Sequence, residues 1–311
     1  MTESKGIAYQ KGRYLAVDDA CIGILDPAFT KSDVVFDALS FADGNFFRLA
    51  DHLERFHASC AGVRLKPPAS DDEMAHIMAQ CADRSGLEAG LVFILCTRGR
   101  YADGNELGDP RTCINEFIAY SVPYFSVIPK ERTQTGGHLW IAKTRRAPDA
   151  AINQRCKNFN RMDLTSAQFE ALDAGADAPV LLSMDGFLTE GPGFNVWIIK
   201  NRKARTPGEN MLEGITRRTV FDLCQSIGVA AEAAELRPED LTGADEVFIS
   251  STGGGVIPIT RVNDRPIGNG APGLATCQLR DLYWEKRKGG WHATPIAGLL
   301  AEPAPSAAVA E

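Results

Sequence analysis

The spacing of apolar positions along the 311-residue chain changes period several times, and each change marks a predicted element. "RYLAVDD" and "VVFDALSF" read as strands, and the second passes through the turn "ADGN" into "FFRLA", which predicts a hairpin. From Leu49 the period lengthens. Leu49, Leu53, Phe56 and Cys60 fall at helical spacing, and "SDDEMAHIMAQCADRSG" repeats the pattern behind a Ser/Asp cap and stops at Gly86. "LVFILCTRG" is a continuous apolar run of strand length. It breaks into the Gly- and Asp-rich loop "GRYADGNELGDPRT", after which "CINEFIAYSVPYF" reads as a strand and "SVIPKERTQTGG" as a linker.

Beyond the linker the order is strand ("HLWIAKT"), helix ("RMDLTSAQFEALDAG"), strand pair ("PVLLSMDGFLTEG", "FNVWIIKN"), helix ("TRRTVFDLCQSIG") and strand ("ADEVFISST"). That mixture predicts an α+β domain with a mixed sheet, not a doubly wound βαβ array. The expected organisation is a small N-terminal domain over 1–124, a linker over 125–135, a larger domain over 136–300 and a disordered, Pro-containing tail over 301–311.

With 44% apolar residues, 23% charged residues and a formal net charge of −7, the chain reads as a globular protein with no nucleic-acid surface, since phosphate binding needs clustered Lys and Arg. The short basic clusters "KTRRA" and "TRRT" read as solvated faces. No window has the apolar length of a secretory signal or a membrane span, so no membrane partner is expected and the default location is cytoplasmic. The eight cysteines form no CxxC pair and the five histidines no HxxxH pair, so reduced thiols and no metal site are expected.

Lys157, in "QRCKNFNRMD", falls at a junction between elements, where a lysine is ordinarily just solvated. Its downstream company changes the picture. Glu190 closes an apolar run before Gly191, Pro192 and Gly193; such a carboxylate is either a local cap or an inward-facing group able to hold a proton on a ring nitrogen. Gly214, Ile215 and Thr216 open a helix whose first N–H groups could hold a phosphate, although Thr216 could equally be a plain cap. Ser251 and Thr252 precede three glycines at a strand end, a second backbone nest suited to phosphate but without the GK[ST] of a nucleotide P-loop. "GNGAPG" does not follow a strand as a dinucleotide fingerprint must and reads as a turn. An amine for a Schiff base, a carboxylate for a ring nitrogen and two phosphate cradles together match the needs of pyridoxal 5'-phosphate.

In order, HLxRF (52–56), TRG (97–99), KNFN (157–160), EGPGFN (190–195), GITR (214–217) and STGGG (251–255) resemble fold-type IV pyridoxal-phosphate enzymes over nearly the whole chain. That group includes branched-chain and D-amino-acid aminotransferases. Within it, "FFRLADHLERF", "CTRG", "VPY" and "GITRRTV" are most similar to (R)-selective amine:pyruvate transaminases. The resemblance implies a two-domain α+β fold of that type and a homodimer. It further implies that Lys157 carries the cofactor, that Glu190 pairs with the pyridinium nitrogen, and that Arg55, Ile215, Thr216 and Thr252 hold the phosphate, with Ser251 and Asn195 also in the cofactor set. Two departures stand out: Pro192 replaces the commoner glycine or serine, and Phe93 stands where a branched-chain enzyme would place its carboxylate-binding arginine.

The implied substrates are a small-molecule amine and a keto acid. One site must then accept an apolar amine and afterwards a carboxylate, and a fixed arginine would be left unpaired by the amine at a cost of a few kcal/mol. Arg98, Arg100 and Arg111 are the candidates for a mobile acceptor-binding arginine, Arg111 first, with Leu107 at the place a gating arginine takes in the related amine transaminases. Phe36 is a candidate to line the substrate pocket. Asp37 would favour cationic or polar substrates if it faced that pocket. A D-amino-acid transaminase, in which the TRG arginine takes the α-carboxylate, is the main alternative, ahead of a branched-chain-type aminotransferase, a lyase on the same fold, or a homologue without turnover.

Overall fold

The computed structural model describes residues 5–102, 104 and 108–301; Leu107 and the tail from 302 onward lie outside the described residues. The described residues divide into two compact units, one formed by residues 5–124, Cys156–Asn160 and residues 292–301, the other by Phe125–Arg155 and Arg161–Trp291.

In the first unit seven strands lie in the spatial order Ala293–Pro295, Asn45–Phe47, Val34–Ala42, Ala89–Thr97, Glu116–Pro123, Ile7–Gln10 and Arg13–Ala16, every pairing antiparallel. The predicted hairpin is present. Its two-residue loop is Asp43-Gly44, with φ of 51° and 71°, the left-handed pair that a tight turn between right-twisted strands demands and that Asp-Gly supplies. Side chains alternate along Val34–Ala42. Val35, Leu39 and Phe41 join Phe56, Met74 and Met78 of the helices Leu49–Gly62 and Asp71–Arg84 in the main core, while Val34 and Phe36 join Leu95 and Ile118 on the opposite face. Ser70 and Glu73 form a reciprocal capping box at the start of the second helix.

The second unit is built on a nine-stranded mixed sheet. Its centre is antiparallel (Phe194–Lys200, Glu246–Ser251, Gly255–Val262), and its flanks add parallel pairs, Gly137–Arg145 with both Gly255–Val262 and Ala178–Leu182, and Lys203–Pro207 with Ala230–Ala234. The α+β, mixed-sheet expectation matches this arrangement.

Three segments sit differently from the sequence-based division. Residues 125–135 group with the second unit: Ile128 is buried in its core, the Val127 N–H donates to the Gly253 carbonyl, and Arg132–Thr135 is helical. Residues 156–160 return to the first unit, as does the segment from His292, whose strand Ala293–Pro295 pairs with Asn45–Phe47. The helix Leu274–Lys288 has no clear signal in the sequence because it buries only Thr276, Leu279 and Tyr283, a stripe too narrow to stand out among its charges.

Phe56 is fully buried between sheet and helix. Phe56→Ala is expected to cost about 3–5 kcal/mol, read as a lowered urea midpoint by circular dichroism, whereas Glu54→Ala on the exposed face of the same helix should stay within about 0.5 kcal/mol.

Candidate active site

Lys157 lies in the returning segment of the first unit, and its backbone is fixed at both ends. Its N–H donates to Ser59 Oγ at 3.0 Å, its carbonyl accepts from the Phe36 N–H at 2.9 Å, and the next residue, Asn158, bridges to Val35. The side chain is half-buried, with Nζ 4.3 Å from the centroid of the Phe36 ring. Phe36 packs on Phe159 at 4.6 Å and stacks with Phe93 at 6.5 Å, and Phe93 stacks on Tyr120 at 4.9 Å. An apolar, largely aromatic wall therefore starts beside the amine.

Asp37, the neighbour of Phe36, points to the opposite side of the sheet because side chains alternate along a strand. It is fully buried and meets His52 and Arg55, which share a helix face three residues apart. Arg55 donates Nε to Oδ2 and Nη2 to Oδ1, both at 2.8 Å; His52 Nδ1 lies 2.7 Å from Oδ1. Burial opposes ionisation of Asp37, yet the Arg55 charge and the hydrogen bonds from Arg55 and His52 outweigh it and hold the carboxyl well below the usual carboxylate range. Burial pushes the His52 imidazole below its ordinary value despite the carboxylate beside it, with Arg55 and Lys157 acting in the same direction. The neutral ring thus donates Nδ1–H to Asp37.

In the second unit Glu190, Asn195 and Ser250 form one row across three strands through the pairings Glu190↔Asn195 and Asn195↔Ser250. The loop before the helix Ile215–Ser226 is tied to this row. The Leu212 N–H donates to Glu190 Oε2 at 3.1 Å, and the Leu212 carbonyl accepts from Asn195 Nδ2 at 2.8 Å. Asn195 also explains Gly214, where an added Cβ would come within 2.2 Å of Asn195 Oδ1. The helix opens at Gly214, buries Ile215 and Thr216, and carries no acidic residue in its first turn, which suits an anion. Ser251 Oγ donates to the Gly193 carbonyl at 2.7 Å and accepts from the Gly253 N–H at 3.1 Å, so it joins the turn after Glu190 to the glycine nest, while Thr252 opens that nest. The nest needs its glycines: a Cβ on Gly255 would meet the Tyr283 ring at 2.6 Å, and one on Gly253 the Phe125 carbonyl at 2.9 Å.

Two residues, one in each unit, that organise the clusters described above do not stand out as such in the sequence. The orientation of Asp37 is open there, and Arg146 falls in what reads as a solvated basic cluster. Arg146 is instead buried. It donates Nε and Nη2 to Glu190 Oε1 at 3.1 and 3.0 Å, and Nη1 to Asp163 at 2.5 Å. Its signal in the sequence is no more than an arginine at the end of a predicted strand.

The three acceptor-binding candidates differ in burial and in the partners they hold. Arg98 is 8% exposed and engaged on every nitrogen: Nε and Nη2 fork onto Asp33, Nη2 also donates to the Val63 carbonyl and Nη1 to the Arg64 carbonyl. The Arg111 side chain is 72% exposed and chelates Asp109; Arg100 is exposed.

Residues 34–262 match the family described as Amino-transferase class IV. The chain belongs to that family. As a member it is a pyridoxal-phosphate-dependent aminotransferase with the fold-type IV architecture. It is 29% identical over 283 residues to a putative branched-chain-amino-acid aminotransferase of Methanocaldococcus jannaschii, covering 90% of this chain and 96% of the relative. It is 28% identical over 267 residues to a D-alanine aminotransferase of Bacillus licheniformis, covering 85% and 91%. A T.th. branched-chain amino acid aminotransferase with pyridoxamine 5'-phosphate superposes with a TM-score of 0.86 at 25% identity, over 94% of this chain and 99% of that one.

Because the folded protein holds His52 below its ordinary value, the unfolded chain takes up a proton first as pH falls below about 6.5. The stability due to neutral His52 is complete above that pH and is lost as pH drops toward the depressed folded value. His52→Gln is expected to flatten the pH dependence of the urea midpoint over that interval.

Proposed function

We propose that this aminotransferase moves an amino group from an (R)-configured primary amine to a keto acid such as pyruvate. The observation that carries the proposal is the state of Arg98. A D-amino-acid transaminase would need this arginine for the substrate carboxylate, but here Asp33 and two backbone carbonyls occupy its donors, and freeing it would break a part-buried ion pair and two hydrogen bonds to the main chain. Beside Lys157, the wall formed by Phe36, Phe93 and Tyr120 suits an aryl or alkyl group in place of a carboxylate. D-Alanine and (R)-1-phenylethylamine share the arrangement about the amine-bearing carbon and differ by that one substituent, so the likeness to D-alanine aminotransferases is consistent with (R)-selectivity.

The residues present fit pyridoxal phosphate. In the first unit Lys157 would hold its aldehyde and Arg55 its phosphate; in the second unit Glu190 would hold the ring nitrogen, and the glycine nest with Thr252 and the acid-free helix start with Ile215 and Thr216 are the kind of cradle a phosphate requires. When bound, the cofactor supplies an electrophilic aldehyde and a ring able to take up electron density. With the cofactor bound, Lys157 Nζ would act as base toward the proton on the substrate's amine-bearing carbon and as acid toward the carbon derived from the cofactor aldehyde, so that the proton is moved between the two carbons. Glu190 would accept the ring N–H, and Arg146 and the Leu212 amide fix its carboxylate in place. Asn195 and Ser251 hold the two cradles through the Leu212 and Gly193 carbonyls. Phe36 lines the amine's side of the pocket. Arg111 and Arg100, both exposed, are the acceptor-binding arginines in this scheme, reached when the keto acid arrives.

We further infer a cytoplasmic homodimer. All eight cysteines are free thiols, as a reducing compartment favours, and among the described residues no helix is long and apolar enough to cross a membrane.

The test is the visible absorption of the cofactor-loaded protein titrated with (R)-1-phenylethylamine, its (S) enantiomer and D-alanine. Bleaching by the (R)-amine, reversed by pyruvate, is expected; bleaching by D-alanine alone would identify a D-amino-acid transaminase. Lys157→Ala should lower turnover by more than about 10³-fold.

A further inference from the structure

We propose that Asp37 is a positioning residue for the cofactor phosphate, acting through Arg55, with His52 locking its carboxylate. This rests on the assignment of Arg55 to that phosphate.

Four donors converge on Asp37: Arg55 Nε and Nη2, His52 Nδ1 and the Ala38 N–H, the last at 2.7 Å from Oδ1. Such a site is too well satisfied to be an accident of packing, and it lies at 0% exposure in the centre of the unit. Its consequence falls on Arg55. A long side chain whose rotamers would otherwise have to be frozen when a ligand arrives is already held by a two-point fork, which sets both the plane and the direction of the guanidinium. The Arg55 side chain keeps 10% exposure, so the fork presents it while burying most of its length.

Asp37 could instead act by charge. It neutralises Arg55, and His52 is neutral, so deleting the carboxylate would leave the cluster more cationic and draw a phosphate in more strongly. The two roles predict opposite signs. Geometry favours orientation: Asp37 occupies one edge of the guanidinium by hydrogen bonds, and a phosphate recognised through directed N–H groups depends on where they point more than on a local charge surplus. His52 supports this, since as a neutral donor it adds no charge to Arg55 and serves to fix the carboxylate that fixes the arginine.

The experiment measures dissociation constants of pyridoxal 5'-phosphate and of pyridoxal, which lacks the phosphate, by quenching of protein fluorescence in the full chain. The variants are Asp37→Asn, Arg55→Gln and the pair together. Asp37→Asn should weaken pyridoxal phosphate binding by about 10- to 100-fold, the effect of losing a charged, forked contact, and leave pyridoxal within about twofold. The double variant should lose no more than Arg55→Gln alone, because Asp37 acts only through that side chain. Tighter phosphate-form binding in Asp37→Asn, or equal weakening of both ligands, overturns the role. If Arg55→Gln leaves the preference for the phosphate form intact, the assignment of Arg55 fails and the role of Asp37 with it. Neither result bears on amine selectivity, which is read separately from turnover. Should Asp37→Asn not fold, His52→Leu replaces it: a smaller but still phosphate-selective loss, restored by His52→Gln, supports the role, and unchanged binding refutes it.

Discussion

Two backbone hydrogen bonds hold the residue to which we assign this family's amine chemistry. The Lys157 N–H reaches Ser59 on a helix and its carbonyl takes the Phe36 N–H on a strand, so an irregular five-residue segment inherits the rigidity of a sheet and the helix packed on it. Lys157 Nζ then stands beside Phe36 because its main chain has nowhere else to go. The same strand, one residue on, sends Asp37 through to the other face, where it organises Arg55. A single alternation thus serves two ends: the aromatic wall near the amine and the fork that aims the arginine.

The second unit solves a matching problem with strand register. Pairing Glu190 with Asn195 and Asn195 with Ser250 brings a carboxylate, an amide and the strand that leads into the glycine nest into one row, and the Leu212 peptide group ties the helix start to that row from both its N–H and its carbonyl. Arg146 completes the arrangement by occupying Glu190 Oε1, so one carboxylate oxygen is structural while the other accepts a backbone N–H. Charges this deeply placed are tolerated because each is paired and hydrogen-bonded in turn, Arg146 reaching Asp163 as well.

Strong local signals are readable along the chain. The helix Leu49–Gly62 announces itself by its apolar spacing, the Ser70 cap by its box and the Asp43-Gly44 hairpin by its turn chemistry. The elements that are not readable are those whose stability comes from contact with other elements: the helix Leu274–Lys288 buries a narrow stripe, and residues 125–135 carry linker-like punctuation yet place Ile128 in a core. Candidate site residues show the same division. Lys157, Glu190, Thr216 and Thr252 lie in short motifs whose backbone requirements can be inferred from glycine and helix-start patterns. Arg98, Arg100 and Arg111 can be named only as a set, since an arginine's task depends on which acceptors surround it, and for Arg98 those are Asp33 and the carbonyls of a distant helix end.

By itself the sequence determined the kind of chemistry, because an amine, a carboxylate, a glycine-opened helix start and a glycine-rich turn are properties of residue type and local backbone. It also determined most of the secondary structure, since periodicity and capping act over a few residues. Only the tertiary structure decided which charges are spent inside the protein and which are left for a ligand. Asp37 turned inward, Arg146 went under Glu190 and Arg98 closed onto Asp33, because pairing between buried charges is fixed by through-space distance, and one position's shift along a strand is enough to send a side chain to the other face.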